Sequence, residues 1–346
     1  MKIMSAAFAA LSVLLPGSIR AASSIVTPTP AFAANDILTG SGFFGSSISV
    51  QSGVLAGFDG SLLKSYDLAT HNALFSIARP AGDAYLANVG TSVFNSFVRL
   101  DPLGTSAWLG FTNSGNTDDR IFQVDFASGT WTHRATLKGN QDLRFLGANA
   151  YVSGLEGGSA SIALLDISGT NNHDVVLSLS GNSAGFDFDS AGNLYYATNT
   201  FPATTGALVF FSSAQILSGL GAGSVPLSAA TILTDLDDDA TGAYNVAVDG
   251  ADRVFFSQNA GFNGLSVAVW NGTAGLGENF TTIAQGTQFL TFTDSDGDVL
   301  GGSGALYQSG FGGAGVAEIK AIPEPSATIL LATGLLLFAR SRRRID

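Results

Sequence analysis

The chain has 346 residues, of which 12% are charged and 43 are glycine, and it contains no cysteine. The lack of cysteine excludes a disulfide scaffold, a thiolate metal site and a cysteine nucleophile. Residues 36–324 hold 26 acidic and nine basic side chains. Because this excess of negative charge repels phosphate backbones, we expect no binding to nucleic acid. The glycine content favours short strands joined by tight turns over helices.

The N-terminus has the pattern of a secretory signal peptide. A lysine precedes an apolar run over residues 3–15, which a Pro-Gly pair ends. The run is too short for a stable transmembrane helix, and its positive head predicts export. Two cut sites stay open. The sequence at 31–33 fits the small-x-small rule but lies far from the run, whereas a cut near Ala21 or Ala22 lies closer but has a poorer residue three positions before it. We assign residues 1–33 to the signal peptide and a spacer.

Residues 36–322 repeat one supersecondary unit. Its first half is an apolar strand, a turn with Asp and Gly, and a second apolar strand. Its second half is a strand, a Ser-Gly or Asn-Gly turn, and another strand, as at 121–137 and 162–179. Asp accepts hydrogen bonds from its own turn and Gly adopts positive φ, which explains why these residues recur. Copies of the first half are Val98-Arg99-Leu100-Asp101-Pro102-Leu103-Gly104, Phe186-Asp187-Phe188-Asp189-Ser190-Ala191-Gly192 and Val246-Ala247-Val248-Asp249-Gly250.

Two hairpins in each unit form a four-stranded antiparallel sheet, and about six units fit between residues 36 and 322. Such a sheet cannot bury both faces alone, so neighbouring sheets must stack, and radial closure removes the exposed edges. The sequence therefore predicts an all-β propeller of about six four-stranded blades, with five to seven allowed. A pair of two-sheet β-sandwiches is the alternative. The turn at 189–195, Asp-x-x-Gly-Asn-Leu-Tyr, resembles that of NHL-like bacterial propellers.

One segment departs from the strand pattern. Ser212 and Ser213 stand where a helix cap belongs, and helix-forming residues follow them. We predict a short helix at 213–220, inserted in the fourth unit and followed by a loop to about residue 231.

Asp294, Asp296 and Asp298 are the best candidate ligands for a cation. Alternating carboxylates that end on a Gly turn resemble the opening of an EF-hand loop, whose oxygens bind Ca²⁺. Ala305 occupies the twelfth position and cannot supply the closing carboxylate, which excludes a complete EF-hand. The other interpretation is an Asp-rich turn at the place where each unit has one. We expect no cofactor, and Ca²⁺ remains the alternative.

No constellation for catalysis is recognisable. The three histidines, His71, His133 and His173, fall at similar positions of successive units, which indicates polar turn residues rather than a converging metal site. No Gly-x-Ser-x-Gly pattern stands on a strand-to-helix turn, as a nucleophile elbow requires, and glutamate is scarce before the C-terminal segment.

The C-terminus carries a second sorting pattern. Pro323, Glu324 and Pro325 precede an apolar stretch at 327–339, and four arginines follow it, at Arg340, Arg342, Arg343 and Arg344. At the helical rise the stretch spans roughly 20 Å of a hydrocarbon layer about 30 Å thick, so it is marginal as a permanent anchor. The arginines favour the cytoplasmic side, which leaves the body on the outer side, in agreement with the signal peptide.

The order of these parts at 323–346 resembles the PEP-CTERM sorting signal. The resemblance implies recognition by an exosortase-type membrane enzyme through the Pro-Glu-Pro motif and the arginine cluster, usually in bacteria that make exopolysaccharide. It implies a protein that resides transiently in the inner membrane and then at the cell surface or outside. A marginal single-pass anchor that is never processed is the alternative.

Two hypotheses for function follow. The first is an exported, non-enzymatic propeller that binds an exopolysaccharide or an envelope protein. The second is a propeller enzyme, a hydrolase, lyase or lactonase acting on extracellular sugars, which rests on fold analogy. Carboxylates that converge at one mouth of the channel would favour the second hypothesis, and an apolar channel would exclude it.

Overall fold

The computed structural model describes residues 23–39, 43, 48–115, 118–167, 173–198, 206–236, 242–260, 263–286, 291–310 and 315–322. Within these ranges the chain forms six sheets, which are antiparallel apart from one short parallel pair. The innermost strand of each sheet contacts that of the next sheet around a closed ring. The prediction of an all-β propeller with about six four-stranded blades is confirmed. Among the described residues no helix has the length and apolar character needed to cross a membrane.

Two strands begin before residue 36, where the repeat domain was predicted to start. They are β1 (Val26–Pro28) and β2 (Phe32–Thr39). β2 pairs antiparallel with the strand at Gly315–Ala321, near the other end of the chain, so the two form the outer half of one blade. β1 pairs with the outer strand of the preceding blade. Ile25 and Val26 are fully buried, so the ring includes residues from 25 onward.

Blades 1 to 3 follow one another along the chain, and within each blade the strands pair in chain order from the innermost to the outermost. Blade 1 consists of β3 (Ser49–Gln51), β4 (Val54–Phe58), β5 (Leu62–Asp67) and β6 (Ala73–Ala78); blade 2 of β7 (Val93–Leu100), β8 (Ser106–Asn113), β9 (Arg120–Asp125) and β10 (Trp131–Thr136); blade 3 of β11 (Asp142–Leu146), β12 (Asn149–Glu156), β13 (Ser159–Leu165) and β14 (His173–Ser178). A short 3-10 helix at Leu86–Asn88 connects blades 1 and 2.

Blades 4 to 6 carry the additions to the basic pattern, and the N-terminal β2 supplies the outer strand of blade 6. Blade 4 consists of β15 (Phe186–Phe188), β16 (Leu194–Ala197), β17 (Ala207–Phe211) and β19 (Thr231–Asp235), with β18 (Val225–Pro226) and a 3-10 helix (Leu227–Ala229) between the last two; blade 5 of β20 (Gly242–Val248), β21 (Val254–Ala260), β22 (Asn263–Trp270) and β23 (Phe280–Gly286); blade 6 of β24 (Thr291–Asp296), β25 (Ala305–Gly310), β26 (Gly315–Ala321) and β2.

The turns that join the first and second strands of the blades surround one mouth of the channel, here called the turn face. The predicted turn chemistry explains their shape. In blade 4, Asp189 Oδ1 accepts hydrogen bonds from the backbone N–H groups of Ala191 and Asn193 at 3.0 and 2.9 Å. Gly192 closes this turn at φ +77°, a conformation that favours glycine. Hydrogen bonds within the turn itself thus define the shape of this hairpin.

An apolar cluster fills each of the six interfaces between adjacent blades. Blades 1 and 2 bury Phe58 and Leu63 against Phe111 and Val124, and comparable clusters occupy the next four interfaces. Blade 6 packs on blade 1 through Tyr307 and its neighbours. The core is therefore a circle of interfaces rather than one centre, as stacked repeats require.

The predicted helix is confirmed as α1 (Ser213–Ala222). Ser212 accepts a hydrogen bond from the N–H of Gln215, and the Gln215 side chain accepts one from the N–H of Ser212, which completes a capping box. The helix packs against β14 of blade 3. A side chain at Gly219 would clash with the Val176 carbonyl, so glycine permits this close approach.

Candidate functional site

One position of the innermost strand projects toward the channel in every blade. Hydrogen bonds between neighbouring blades define the equivalence: Leu100 N donates to Ser49 Oγ at 2.9 Å, and Val248 N donates to Asp187 Oδ2 at the same distance. Five of the six residues are polar or charged, two of them arginines, and the layer that the six residues form is here called the axial ring. The axial ring consists of Ser49, Arg99, Arg144, Asp187, Ala247 and Asp294.

The Arg99 side chain of blade 2 bonds to residues of blades 1 and 3 near the axis. Its side chain is 3% exposed and lies 2.7 Å from Asp142 Oδ1 of blade 3. Its Nε donates to the Leu143 carbonyl at 3.1 Å, and its Nη1 donates to the Ile48 carbonyl at 2.5 Å. Burial lowers the pKa of Arg99, and the positive charge of Arg144 acts in the same direction.

Arg144 is the centre of the ion network. Its Nη1 lies 3.0 Å from Asp294 Oδ1 and 3.3 Å from Asp187 Oδ2, and its Nε lies 3.6 Å from Asp142 Oδ2. Nε and Nη2 also donate to carbonyls of blades 4 and 5. Burial alone would lower the pKa of Arg144, but the three carboxylates raise it, so the side chain stays charged.

Asp187 is the acidic group of the network that solvent reaches most easily. Its side chain is 14% exposed, compared with 0% for Asp142 and 5% for Asp294. Burial raises the pKa of Asp187 to about 6, and Asp294 also raises it, although Arg144 and two backbone N–H groups oppose the shift. Three carboxylates share two guanidinium groups, which leaves one negative charge in excess.

A cavity of about 320 Å³ lies on this network and extends toward the turn face. Asp187, Asp294 and Arg144 form its polar floor, while Phe145 and Pro102 add apolar wall. This cavity is here called the axial pocket. Its volume is at the lower end of the range for small-molecule sites. Nε, Nη1 and Nη2 of Arg144 have protein acceptors, and each oxygen of Asp187 and Asp294 accepts from a protein donor. A carboxylate oxygen can accept a second hydrogen bond, so the acceptors of the floor remain open to a ligand.

The three aspartates of the proposed cation loop have separate roles. Asp294 and Asp296 lie on strand β24 rather than in a turn. Asp294 faces the channel, where it pairs with Arg144 and accepts a hydrogen bond from Val50 N at 2.7 Å. Asp298 lies in the following turn and pairs with Arg253 at 2.8 Å. Over the described ranges no group of three or more His, Asp or Glu side chains has a geometry that would hold a metal ion.

The other predicted site residues lie away from the axial pocket or outside the described residues. His71 lies in the turn before β6, and His133 and His173 lie on the outer strands of blades 2 and 3. His173 contacts Glu156 at 2.6 Å. The sorting residues Pro323, Glu324, Pro325, Arg340, Arg342, Arg343 and Arg344 fall outside the described residues, as do residues 1–22 of the predicted signal peptide and spacer at 1–33.

The axial ring was missed at the level of the sequence, although the repeat contains its signal. Aligned copies place Arg99, Asp187 and Ala247 at one position, each between two apolar neighbours. On a strand that packs between other blades, a charged residue at such a position requires an ionic partner. Arg144 likewise lies between two apolar neighbours, Leu143 and Phe145. The two arginines of the axial ring equal its two aspartates in number.

Comparison with known proteins supports the fold alone. No family model and no curated sequence matches the chain. A carbohydrate-active enzyme of family AA12 from Trichoderma reesei, solved in a calcium form, superposes with a TM-score of 0.57 at 10% identity, over 86% of this chain and 97% of that one. Regucalcin, a calcium-binding protein from Agrobacterium tumefaciens, gives 0.52 at 14% identity, over 83% and 96%. A protein of unknown function from Bacteroides thetaiotaomicron gives 0.53 at 8% identity, over 84% and 76%.

Proposed function

We propose that this chain is an exported propeller that binds a partner, without transforming it, through the axial pocket. The observation that carries the proposal is that the polar floor at Arg144, Asp187 and Asp294 is already paired within the protein while it still lines a cavity. A paired, rigid floor suits recognition, because its groups are held in place before a ligand arrives. The partner is an exopolysaccharide or an envelope protein.

The proposal includes export and sorting. The signal-peptide pattern within residues 1–33 and the PEP-CTERM-like segment at 323–346 support it by their order and charge. Ile322 lies on the side of blade 6 that carries the first turn, because the neighbouring Ile319 pairs with Leu306. A membrane tail that starts there tethers the ring by its turn face, and partners reach the axial pocket from the membrane side until an exosortase-type enzyme releases the chain.

The sorting part is tested by fractionation and immunoblotting in a host that carries an exosortase. Serine at all four tail arginines should let unprocessed precursor escape, because the cytoplasmic stop is lost. Glu324→Ala should insert normally but accumulate as a membrane-bound precursor. If Glu324→Ala is processed and released like the natural chain, the motif has no role in sorting.

The binding part is tested with a variant that fills the pocket. Gln51 lines the axial pocket, so Gln51→Trp should block it while the axial ring stays intact. Gln285→Trp, on an exposed site of blade 5, is the matched control. Saturation-transfer NMR with cellohexaose and with N-acetyl-lysine methylamide should show contacts that Gln51→Trp removes and Gln285→Trp keeps. If Gln51→Trp changes neither signal, the axial pocket is not the binding site.

An enzyme acting on sugars is the second candidate, and the three carboxylates that converge at the channel favour it. Asp187 combines a place on the pocket floor with a pKa raised to about 6, as a general acid or base requires. Chromatography of oligosaccharides after incubation with the full chain separates the candidates. Turnover that Asp187→Asn abolishes would establish the enzyme and overturn the non-enzymatic proposal.

A further inference from the structure

A second cavity opens beside the axial pocket, between blades 1 and 2. It also measures about 320 Å³, and Gln51, Leu100 and Pro102 line both cavities. It is here called the groove. Because the two cavities share these three residues, one ligand can occupy both, and together they fall well inside the volume range of ligand sites.

The groove is built from large apolar side chains. Phe75 and Phe126 meet at its base, with ring centroids 4.2 Å apart. Leu74 and Leu103 stand at its edges and are 53% and 83% exposed. Single exposed leucines are common, but exposed leucines at the edge of an aromatic cavity mark a surface that binds apolar groups.

Leu103 is held at the edge by the turn that contains it. Asp101 Oδ1 accepts from Thr105 N at 2.8 Å, and the Asp101 carbonyl accepts from Gly104 N at 3.0 Å. The turn is thus fixed by its own hydrogen bonds, and it leaves the Leu103 side chain exposed to solvent. Because the backbone of this turn is already fixed, it loses little conformational entropy when a ligand covers Leu103.

The chemistry of the two cavities differs in a way that specifies the ligand. Gln51 and Ser52 are the polar side chains lining the groove among the described residues, so sugar hydroxyls would lose hydrogen bonds to water without replacement. The network beneath the axial pocket carries one excess negative charge, which attracts a cation. A compact ammonium group fits beside the partly exposed Asp187 carboxylate.

We propose that the groove and the axial pocket together bind an extended peptide segment of a partner protein, with a lysine side chain in the axial pocket and the neighbouring apolar side chains in the groove. This inference rests on the proposed function and deepens it, since it selects a protein partner over a polysaccharide. Apolar side chains in a groove beside one specifying charge are a usual mode of peptide recognition.

Fluorescence anisotropy with a labelled peptide, Gly-Ser-Lys-Leu-Phe-Leu-Ser-Gly, tests the inference on the full chain in mild detergent. Leu103→Ser and Leu74→Ser should each weaken binding about tenfold, because an apolar contact at the edge is lost. Leu276→Ser is the matched control: Leu276 is 77% exposed and lies on blade 5, so its replacement should change the Kd less than twofold. A peptide with glutamate in place of lysine should bind at least tenfold more weakly.

The outcomes separate the groove from the axial pocket. If Asp187→Asn weakens peptide binding and Leu103→Ser does not, the groove is not a subsite and the proposed function still stands. If cellohexaose binding depends on Leu103 while the peptide does not bind, the occupant is a glycan and the inference is wrong. A peptide that binds equally well to Gln51→Trp would overturn both. Leu103→Glu, checked for an unchanged melting temperature, gives a second measurement of the groove independent of folding.

Discussion

The two halves of the turn face are built differently. In blades 4 to 6, here called the stitched half, the turns of adjacent blades are hydrogen-bonded to each other. Asp252 accepts from Ser190 N at 2.8 Å and from Ser190 Oγ at 2.6 Å. Asp249 Oδ2 accepts from Val299 N at 3.0 Å. In blades 1 to 3, the open half, the described turn hydrogen bonds stay within their own blade, as at Asp101. The axial pocket and the groove lie against the turns of the open half.

The difference shows how one ring combines stability with access. The stitched half also contains the closure of the ring by β2 and β26. In the open half, hydrogen bonds between the innermost strands join neighbouring blades, through the side chains of Arg99 and Ser49. Among the described residues no hydrogen bond joins its turns to each other, and the space between these turns is available to a partner.

The largest expected loss of stability comes from removing the N-terminal residues that the stitched half contains. A chain that begins at Ala34 lacks Ile25 and Val26, which are fully buried, and loses all of β1. Burial of two such side chains contributes about 3 to 6 kcal/mol, so we expect urea to unfold this chain at a much lower concentration than a chain that begins at Ser23.

The same comparison bears on the signal-peptide cut. Cleavage at 31–33 would remove β1 and divide β2, whereas cleavage near Ala22 keeps both. Mass spectrometry of the mature protein from its own cells should therefore find an N-terminus before Ile25. A mature chain that starts after Ala33 and keeps full stability would contradict the assignment of β1 to the ring.

The next largest effect concerns the axial ring, which joins the two halves. Arg144→Met removes the guanidinium shared by Asp142, Asp187 and Asp294 and leaves buried carboxylates without their main partner. We expect a loss of about 3 to 5 kcal/mol in the free energy of unfolding, measured by urea titration. Arg253→Met is the control, since its ion pair with Asp298 is one third exposed and should contribute less than about 1 kcal/mol. Equal losses in the two variants would show that the network does not hold the ring.

A smaller change in the free energy of unfolding, of opposite sign, is expected when Asp187 is replaced. Because its pKa is raised to about 6 in the folded state, the folded protein binds more protons than the unfolded chain between about pH 4 and 6, and Asp187 reduces stability as the pH rises through that window. Asp187→Asn should gain stability relative to the natural chain across it, by about 1 to 3 kcal/mol. The groups that face Asp187 are Arg144 and Asp294.

Asp67 provides a control of the reverse sign. Hydrogen bonds from Thr70 lower the pKa of Asp67, so Asp67→Asn should lose stability relative to the natural chain as the pH rises. Urea titrations at pH 4, 5, 6 and 7 give both curves. If the Asp187→Asn curve runs parallel to that of the natural chain, the excess negative charge at the axis is not present.

The smallest effect is local to the stitched half. Asp249 accepts from the backbone N–H groups of Ala251, Arg253 and Val299. Asp249→Ala should make the Val299 amide exchange its hydrogen about tenfold faster, because the bond between blades is lost. Asp101→Ala breaks a turn of the open half and should leave Val299 unchanged. An effect of Asp101→Ala at Val299 would show that the two halves are coupled at the turn face.

The repeat and the helix were predictable because their signals are local. Asp at 101, 189 and 249 marks turns whose hydrogen bonds lie within a few residues, and Ser212 caps its own helix. The pairing of β2 with β26 was not predictable, since its partners are far apart in the sequence and β2 mixes polar with apolar residues. Asp294 was placed in a turn because Asp and Gly cluster there, but its register with Tyr307 makes it part of a strand.

The site depended on information that no single unit contains. Arg144 and Asp187 belong to different blades, and their contact follows from closure of the ring. The axial pocket and the groove follow from the spacing between turns of neighbouring blades, which the composition of one turn does not determine. A repeat sequence therefore specifies its units well and the space between them poorly.

The pairing of β2 with β26 sets the order of assembly. Phe32 pairs with Ala321, so blade 6 is completed only after every residue between these two has been synthesised. Contacts of such long sequence separation form late in folding, since their loop entropy is lost before they contribute. A nascent chain of this topology stays open until its last strand arrives, and threading through a narrow translocation pore is compatible with that delay.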